Sequence, residues 1–465
     1  MTHIDRTFFL KVWGCQMNEA EADRVGAQLR SLGWRPVADV ADADLVFLHT
    51  CCVRQRPERK VYGFLDTLRP LKRQHPRLVI AVGGCMAQKE GGRIFERAPN
   101  ADILVGPRRL GRLPELVEAF EATGERQVDL ALEDAETALP EAPPTLTAFV
   151  PIIEGCTNYC AYCIVPHVRG PERSRPAGEI RAEMEHLAER GCREVTLLGQ
   201  NVLAYGADRR GERDFPALLE YVHDVAGIDR LRFTTSHPHD AGERLFHVMA
   251  SLPKVCESLH LPLQAGHDAL LSAMNRRYTA ADYLRKVELA REIVPGLALS
   301  TDLIVGFPGE TEEQFAASME VYRRLRFDQA FMFAYSPREG TAAAQVPDSV
   351  PPEVKQRRLG ALIEMQNAIS TEINQAAAGR VLEVLVEGPS ARNPARLSGR
   401  TRQNKLMVFD GPQGLSPGGL SLRGPVRGQS PFGDSPLVIV RATAGHVWGF
   451  EGVIAEAASG SIMSP

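Results

Sequence analysis

The chain has 465 residues, 24% of them charged and 44% hydrophobic, with a net charge of −4. Its length suggests about three domains of roughly 100–200 residues each, in a composition typical of globular protein. The mild acidity excludes indiscriminate nucleic-acid binding but leaves room for a local basic patch. No apolar run approaches the roughly 18 residues that cross a bilayer, and Met1-Thr-His-Ile-Asp-Arg6 lacks the basic-then-apolar layout of a secretion signal. A cytoplasmic monomer without a membrane partner is expected. Thiols stay reduced there, so the nine Cys read as metal ligands or core thiols rather than disulfides.

The N-terminal part alternates strands and helices. Strands are expected at Phe8–Trp13, Asp44–Leu48, Arg77–Val82 and Ile103–Val105, with helices at Asn18–Leu32 and about Pro57–Leu71. Apolar, β-branched runs between helical stretches predict an open parallel sheet in an α/β layer fold over residues 1–124. Cys15, Cys51 and Cys85 each follow one of these strands, about one βα repeat apart. Loops at the carboxyl ends of parallel strands converge on one edge, where ligands bind. The three thiols are therefore expected to meet as a three-Cys [4Fe–4S] site with one open iron. Cys52 adjoins Cys51; its side chain is expected to point elsewhere, with the alternative that it is the true ligand.

Residues 125–144 are rich in acids, Ala and Pro and read as a linker. Strand–helix alternation then resumes, with strands expected at Phe149–Ile153, Glu194–Leu198, Leu231–Thr235, Ser258–Leu263, Leu299–Val305 and Gln329–Tyr335. Six such units suit a partial (β/α)6 barrel over 145–378, ending in a long helix from about Glu353. Cys156, Cys160 and Cys163 follow its first strand in the pattern C-x3-C-x2-C. Zinc would ask for four closed ligands at other spacings. Three close thiols instead leave one iron of a [4Fe–4S] cubane open, the signature of radical S-adenosylmethionine (SAM) chemistry. Tyr162 could pack on the adenine of SAM. Gln200, Asn201, Ser236, Gln264 and Asp302, at other strand ends, are candidates for its ribose and methionine.

The tail, 379–456, holds short strands at Val381–Val386, Lys405–Phe409, Leu437–Arg441 and Val447–Phe450, as in a small antiparallel barrel. A Gly/Pro-rich insert occupies 411–436. Arg169 and Arg175, after the barrel Cys loop, and Arg400, Arg402 and Lys405, in the tail, are candidate RNA contacts.

Together, Gly14-Cys-Gln-Met-Asn18, Thr50-Cys51, Gly84-Cys85-Met-Ala-Gln88, Gly155-Cys-Thr-Asn-Tyr-Cys-Ala-Tyr-Cys163, Leu198-Gly-Gln-Asn201, Phe331 to Arg338 and Gly399-Arg-Thr-Arg-Gln-Asn-Lys405 resemble the methylthiotransferase family of radical SAM enzymes over nearly the whole chain. The tail resembles that family's TRAM RNA-binding domain. The resemblance implies two [4Fe–4S] clusters, SAM, an electron donor such as flavodoxin or ferredoxin, and tRNA as partner. The Cys156, Cys160 and Cys163 cluster would cleave SAM. The Cys15, Cys51 and Cys85 cluster would hold the sulfur destined for C2 of an N6-isopentenylated adenosine beside the anticodon. Other substrates within the family are threonylcarbamoyl-adenosine in tRNA and an Asp of a ribosomal protein; a non-catalytic iron–sulfur RNA-binding protein is the alternative of another class. Three features depart from the family pattern: His49 in place of Asn, Cys52 in place of a small polar residue, and the insert.

Overall fold

Leu45–Thr50 and Val79–Gly83 are buried at every position, as expected of central strands covered on both faces. A computed structural model describes residues 6–52, 55–133, 145–411 and 436–455. In the first domain β1 (Thr7–Trp13), α1 (Gln16–Ser31), β2 (Arg35–Pro36), β3 (Leu45–Thr50), α2 (Gln55–Gln74), β4 (Val79–Gly83), α3 (Cys85–Glu90), α4 (Arg93–Arg97), β5 (Ile103–Val105), α5 (Leu113–Thr123) and β6 (Gln127–Asp129) follow in order. The strands form one parallel sheet, β2-β1-β3-β4-β5-β6, with a separate apolar core on each face. The stretch expected as linker thus begins with a strand. Gln127-Val-Asp129 is too short and polar to show a period, yet it pairs with β5, and Arg109 and Arg112 fasten Asp129. The rest of that stretch, 134–144, lies outside the described residues, as do 412–435 of the insert.

The second domain runs β7 (Thr147–Pro151), β8 (Ile153–Glu154), α6 (Val165–Arg169), β9 (Arg173–Ser174), α7 (Ala177–Glu189), β10 (Glu194–Leu198), α8 (Phe215–Val222), β11 (Arg230–Phe233), α9 (Glu243–Ser251), β12 (Ser258–His260), α10 (Asp268–Ala273), α11 (Ala280–Ile293), β13 (Ala298–Val305), α12 (Glu312–Leu325), β14 (Gln329–Ala334) and α13 (Pro352–Gln375). Its six main strands form two parallel ladders, β7-β10-β11 and β12-β13-β14, bridged at Leu231 and Val255. Helices wrap the outside over one large apolar core. Thr279 and Thr311 cap α11 and α12 with their hydroxyls and start those helices where the apolar period begins.

The tail is a closed five-stranded barrel of β15 (Val381–Pro389), β16 (Leu397–Thr401), β17 (Leu406–Phe409), β18 (Leu437–His446) and β19 (Gly449–Ile454), consistent with a TRAM domain. Sequence reading missed β16, whose Arg-rich flank reads as a charged loop. Residues 447–450, expected as a strand, instead span the turn from β18 into β19.

Candidate active site

The carboxyl end of β7 leads into the Cys156–Cys163 loop through Gly155, at φ +83. A Cβ there would stand 2.0 Å from the Pro171 carbonyl oxygen, so glycine is required for the loop to fold back on itself. Gln200 steadies the same point: its Oε1 accepts the Gly155 N–H at 2.6 Å. Asn158 Nδ2 donates to Cys156 Sγ at 3.4 Å, and Arg276 Nη1 to Cys160 Sγ at 3.3 Å. Burial pushes the Cys163 thiol up to about 12 and raises that of Cys156. At Cys156 and Cys163 burial therefore favours the neutral thiol, and it takes a cationic partner to hold these two as thiolates. Among the described residues no three His, Cys, Asp or Glu converge as a single metal ion requires. The donor set of this loop is all thiol, as an iron–sulfur cluster asks. Arg276 gave no sequence signal, since one Arg between two helices is unremarkable.

Cys15, Cys51 and Cys85 stand at the carboxyl ends of β1, β3 and β4, three neighbouring strands. Cys15 also caps α1. Its thiol is drawn down to about 6, first by a hydrogen bond with Cys51, then by Arg169, against the opposing effect of burial. Gly84, at φ +88, turns the chain so that Cys85 opens α3. A buried polar chain ties the thiols together. Cys15 Sγ donates to Asn18 Oδ1 at 3.2 Å, Asn18 Nδ2 lies 3.2 Å from His49 Nε2, and His49 Nε2 lies 2.8 Å from Glu21 Oε2. Arg169 then pairs with Glu21 at 2.5 Å and donates Nε–H to Cys85 Sγ at 3.3 Å. His49, an oddity in the sequence, is thus a fully buried link in this chain.

Arg169 was expected at the RNA surface. It is instead 2% exposed and committed to Glu21, Glu154 and Cys85, so it joins the first domain to the barrel. Arg175 likewise pairs with Glu183. Arg402 pairs with Glu257 and Lys405 with Asp328, both of the barrel; these two tail cations hold domains together. Arg400 is the most open of the five, facing a cavity.

That cavity, of about 790 Å³, runs through the barrel and is lined by residues of all three domains. Cys15 and Cys163 both reach it, as do Tyr162, Gln264 and Asp302. Gln264 sits at φ +67 with its Oε1 buried and unpartnered, and such strained, unsatisfied residues concentrate at functional sites. Three other candidates for SAM are engaged elsewhere. Gln200 holds Gly155, buried Asn201 bonds Asp240 and the His237 N–H, and the Ser236 hydroxyl donates to the His260 carbonyl. Phe149, Phe331 and Phe333 form an apolar side of the cavity.

Residues 150–321 match the radical SAM superfamily and residues 7–106 match uncharacterized protein family UPF0004. A radical SAM methyltransferase, TsrM from Kitasatospora setae, solved with cobalamin and a [4Fe-4S] cluster, shares the fold at a TM-score of 0.53 and 15% identity, over 73% of this chain and 74% of that one. Partial parallel barrel, Cys loop and superfamily match define a radical SAM enzyme, a class that implies SAM and a [4Fe–4S] cluster. Relatives named tRNA-2-methylthio-N(6)-dimethylallyladenosine synthase share 42% identity in Carboxydothermus hydrogenoformans, over 97% of this chain and 99% of that one, and 45% in Moorella thermoacetica, over 90% and 95%. In Bordetella petrii the figure is 46%, over 88% and 87%. The chain belongs to this tRNA-2-methylthio-N(6)-dimethylallyladenosine synthase family.

Proposed function

We propose that this chain adds a methylthio group to C2 of N6-dimethylallyladenosine beside the anticodon of tRNA, with one [4Fe–4S] cluster on Cys156, Cys160 and Cys163 and a second on Cys15, Cys51 and Cys85. The observation that carries this reading is that Cys15 and Cys163 line one cavity. A group held at the first thiol set would face a reaction begun at the second, without crossing solvent. C2 of adenine bears an aryl C–H with no useful acidity, so acid–base residues could not open it. A bound, reduced cluster supplies the electron that cleaves SAM.

The protein's own groups bind, orient and exclude water. Tyr162 offers a ring face to an adenine, Gln264 Oε1 an unused acceptor, and Asp302, 3.5 Å from His260 Nε2, a further acceptor. The aromatic side formed by Phe149, Phe331 and Phe333 suits the apolar dimethylallyl chain better than a threonylcarbamoyl carboxylate. Arg400 and the small barrel present charge to RNA, where a loop base can be splayed outward. A flavodoxin or ferredoxin would supply electrons to a monomer; among the described residues no helix is long and apolar enough to cross a membrane.

The test is an oxygen-free incubation of the reconstituted protein with reductant, SAM and tRNA carrying the dimethylallyl group, followed by nucleoside mass analysis. A methylthio product with 5′-deoxyadenosine is expected. 5′-Deoxyadenosine without sulfur in the tRNA would mean a different radical reaction, and neither product would leave a non-catalytic RNA-binding protein.

A further inference from the structure

Four thiols, not three, gather at the carboxyl edge of the N-terminal sheet. In an extended chain the side chains of Cys51 and Cys52 would leave on opposite sides. Here β3 stops at Thr50, the backbone bends at Cys52, and both residues are buried. Cys52 packs in one cluster with Cys85, and Cys51 and Cys85 are buried beside it at the same sheet edge. Cys52 is fully buried, packed with Cys85 against Ile164 and Val168 from the barrel domain. A buried Cys often serves only as a small apolar filler. This one instead packs against a candidate ligand, Cys85, next to Cys51, a candidate ligand too.

We propose that Cys52 is a fourth protein ligand of the N-terminal cluster: it occupies the iron that three Cys would leave open, and yields it when the sulfur to be transferred arrives. This inference rests on the two-cluster reading above. The exchange is balanced without oxidant or reductant. A hydrosulfide or small thiol bonds the iron through sulfur and gives up its proton; the iron–Cys52 bond breaks, and the Cys52 sulfur takes that proton. The resting cluster is then saturated and closed to adventitious ligands, with Ile164 and Val168 over the releasing thiol. Cys15, the thiol of the four that opens onto the cavity, stays on the substrate side throughout.

The test uses the full chain with Cys156→Ala, Cys160→Ala and Cys163→Ala, so that only the N-terminal cluster can assemble, as the parent for added Cys52→Ala or Cys52→Ser. Each protein is loaded anaerobically with iron and sulfide, counted for iron, reduced, and titrated with methanethiolate while its electron paramagnetic resonance spectrum is followed. All three should hold about four irons. The probe should shift the spectrum of either Cys52 variant at concentrations at least about ten-fold lower than in the parent, since no protein thiolate competes, a free-energy difference of about 1.4 kcal/mol. Equal midpoints, or loss of the cluster from both variants, would overturn the proposal. A parent that binds no iron would overturn the two-cluster reading itself.

Discussion

Arg169 shows how one side chain can serve two thiols and two domains. It pairs with Glu21, which through His49 and Asn18 reaches Cys15, and it donates directly to Cys85. Burial alone would raise the Glu21 carboxyl, but Arg169 and His49 hold it down at about 2. Arg169→Ala would strand that carboxylate, a loss of about 3–5 kcal/mol for a buried pair broken on one side. A lower melting temperature and fewer irons at the N-terminal site are the expected results. Unchanged melting would mean the Glu21–Arg169 pair does not support the fold. Arg276→Gln tests the other site: with one donor to the Cys160 sulfur gone, the cluster potential should fall, read by redox titration, with SAM still bound. At this scale the sequence was half legible. Thiols close together in a local pattern announce themselves, whereas Arg169 and Arg276 become meaningful only once distant elements meet, and a charged run looks the same on a surface as in a buried strut.

At the scale of elements, β14 places Phe331 and Phe333 two residues apart on one face of the cavity. Phe331→Ala should raise KM for the dimethylallyl tRNA about ten-fold or more, matching roughly 1.5–3 kcal/mol of apolar contact. Cleavage of SAM without tRNA should be unaffected; equal KM values would move the prenyl chain elsewhere. On α7, Glu183 joins Arg24 of α1 and Arg175. Burial would raise its carboxyl, but the two guanidiniums prevail and hold it below its ordinary value of 4.5. Its contribution is therefore complete above about pH 4.5 and is lost as pH falls below that. Acid-unfolding curves should show Glu183→Gln less stable at neutral pH, with the gap from wild type closing in acid; a constant gap would contradict the pairing. Long apolar strands such as β3 and β4 were readable because their whole length is buried. β6 and β16 were not: one is three residues of mixed polarity, and the other carries a Gly inside and Arg outside, leaving no apolar run.

At the scale of the molecule, the small barrel closes one end of the partial barrel. Fully buried Arg230 reaches Glu383 and the Arg400 carbonyl, and Arg232 reaches the Thr401 and Arg402 carbonyls. The basic stretch of the tail therefore divides by task. Arg402→Ala should lower the melting temperature and leave the salt dependence of tRNA binding unchanged. Arg400→Ala should weaken binding and reduce the slope of log affinity against log salt by about one. The reverse pattern would exchange their roles. Domain order and classes could be read from the chain; the docking could not, because it depends on pairs far apart in sequence, most of them by more than a hundred residues.

The central claim is that two iron–sulfur sites share one chamber, and iron content after anaerobic reconstitution tests it most directly. Wild type should hold about eight irons per chain, and a triple variant Cys15→Ala, Cys51→Ala, Cys85→Ala and the single variant Cys160→Ala about four each. About four irons in wild type, unchanged by the triple variant, would contradict the account.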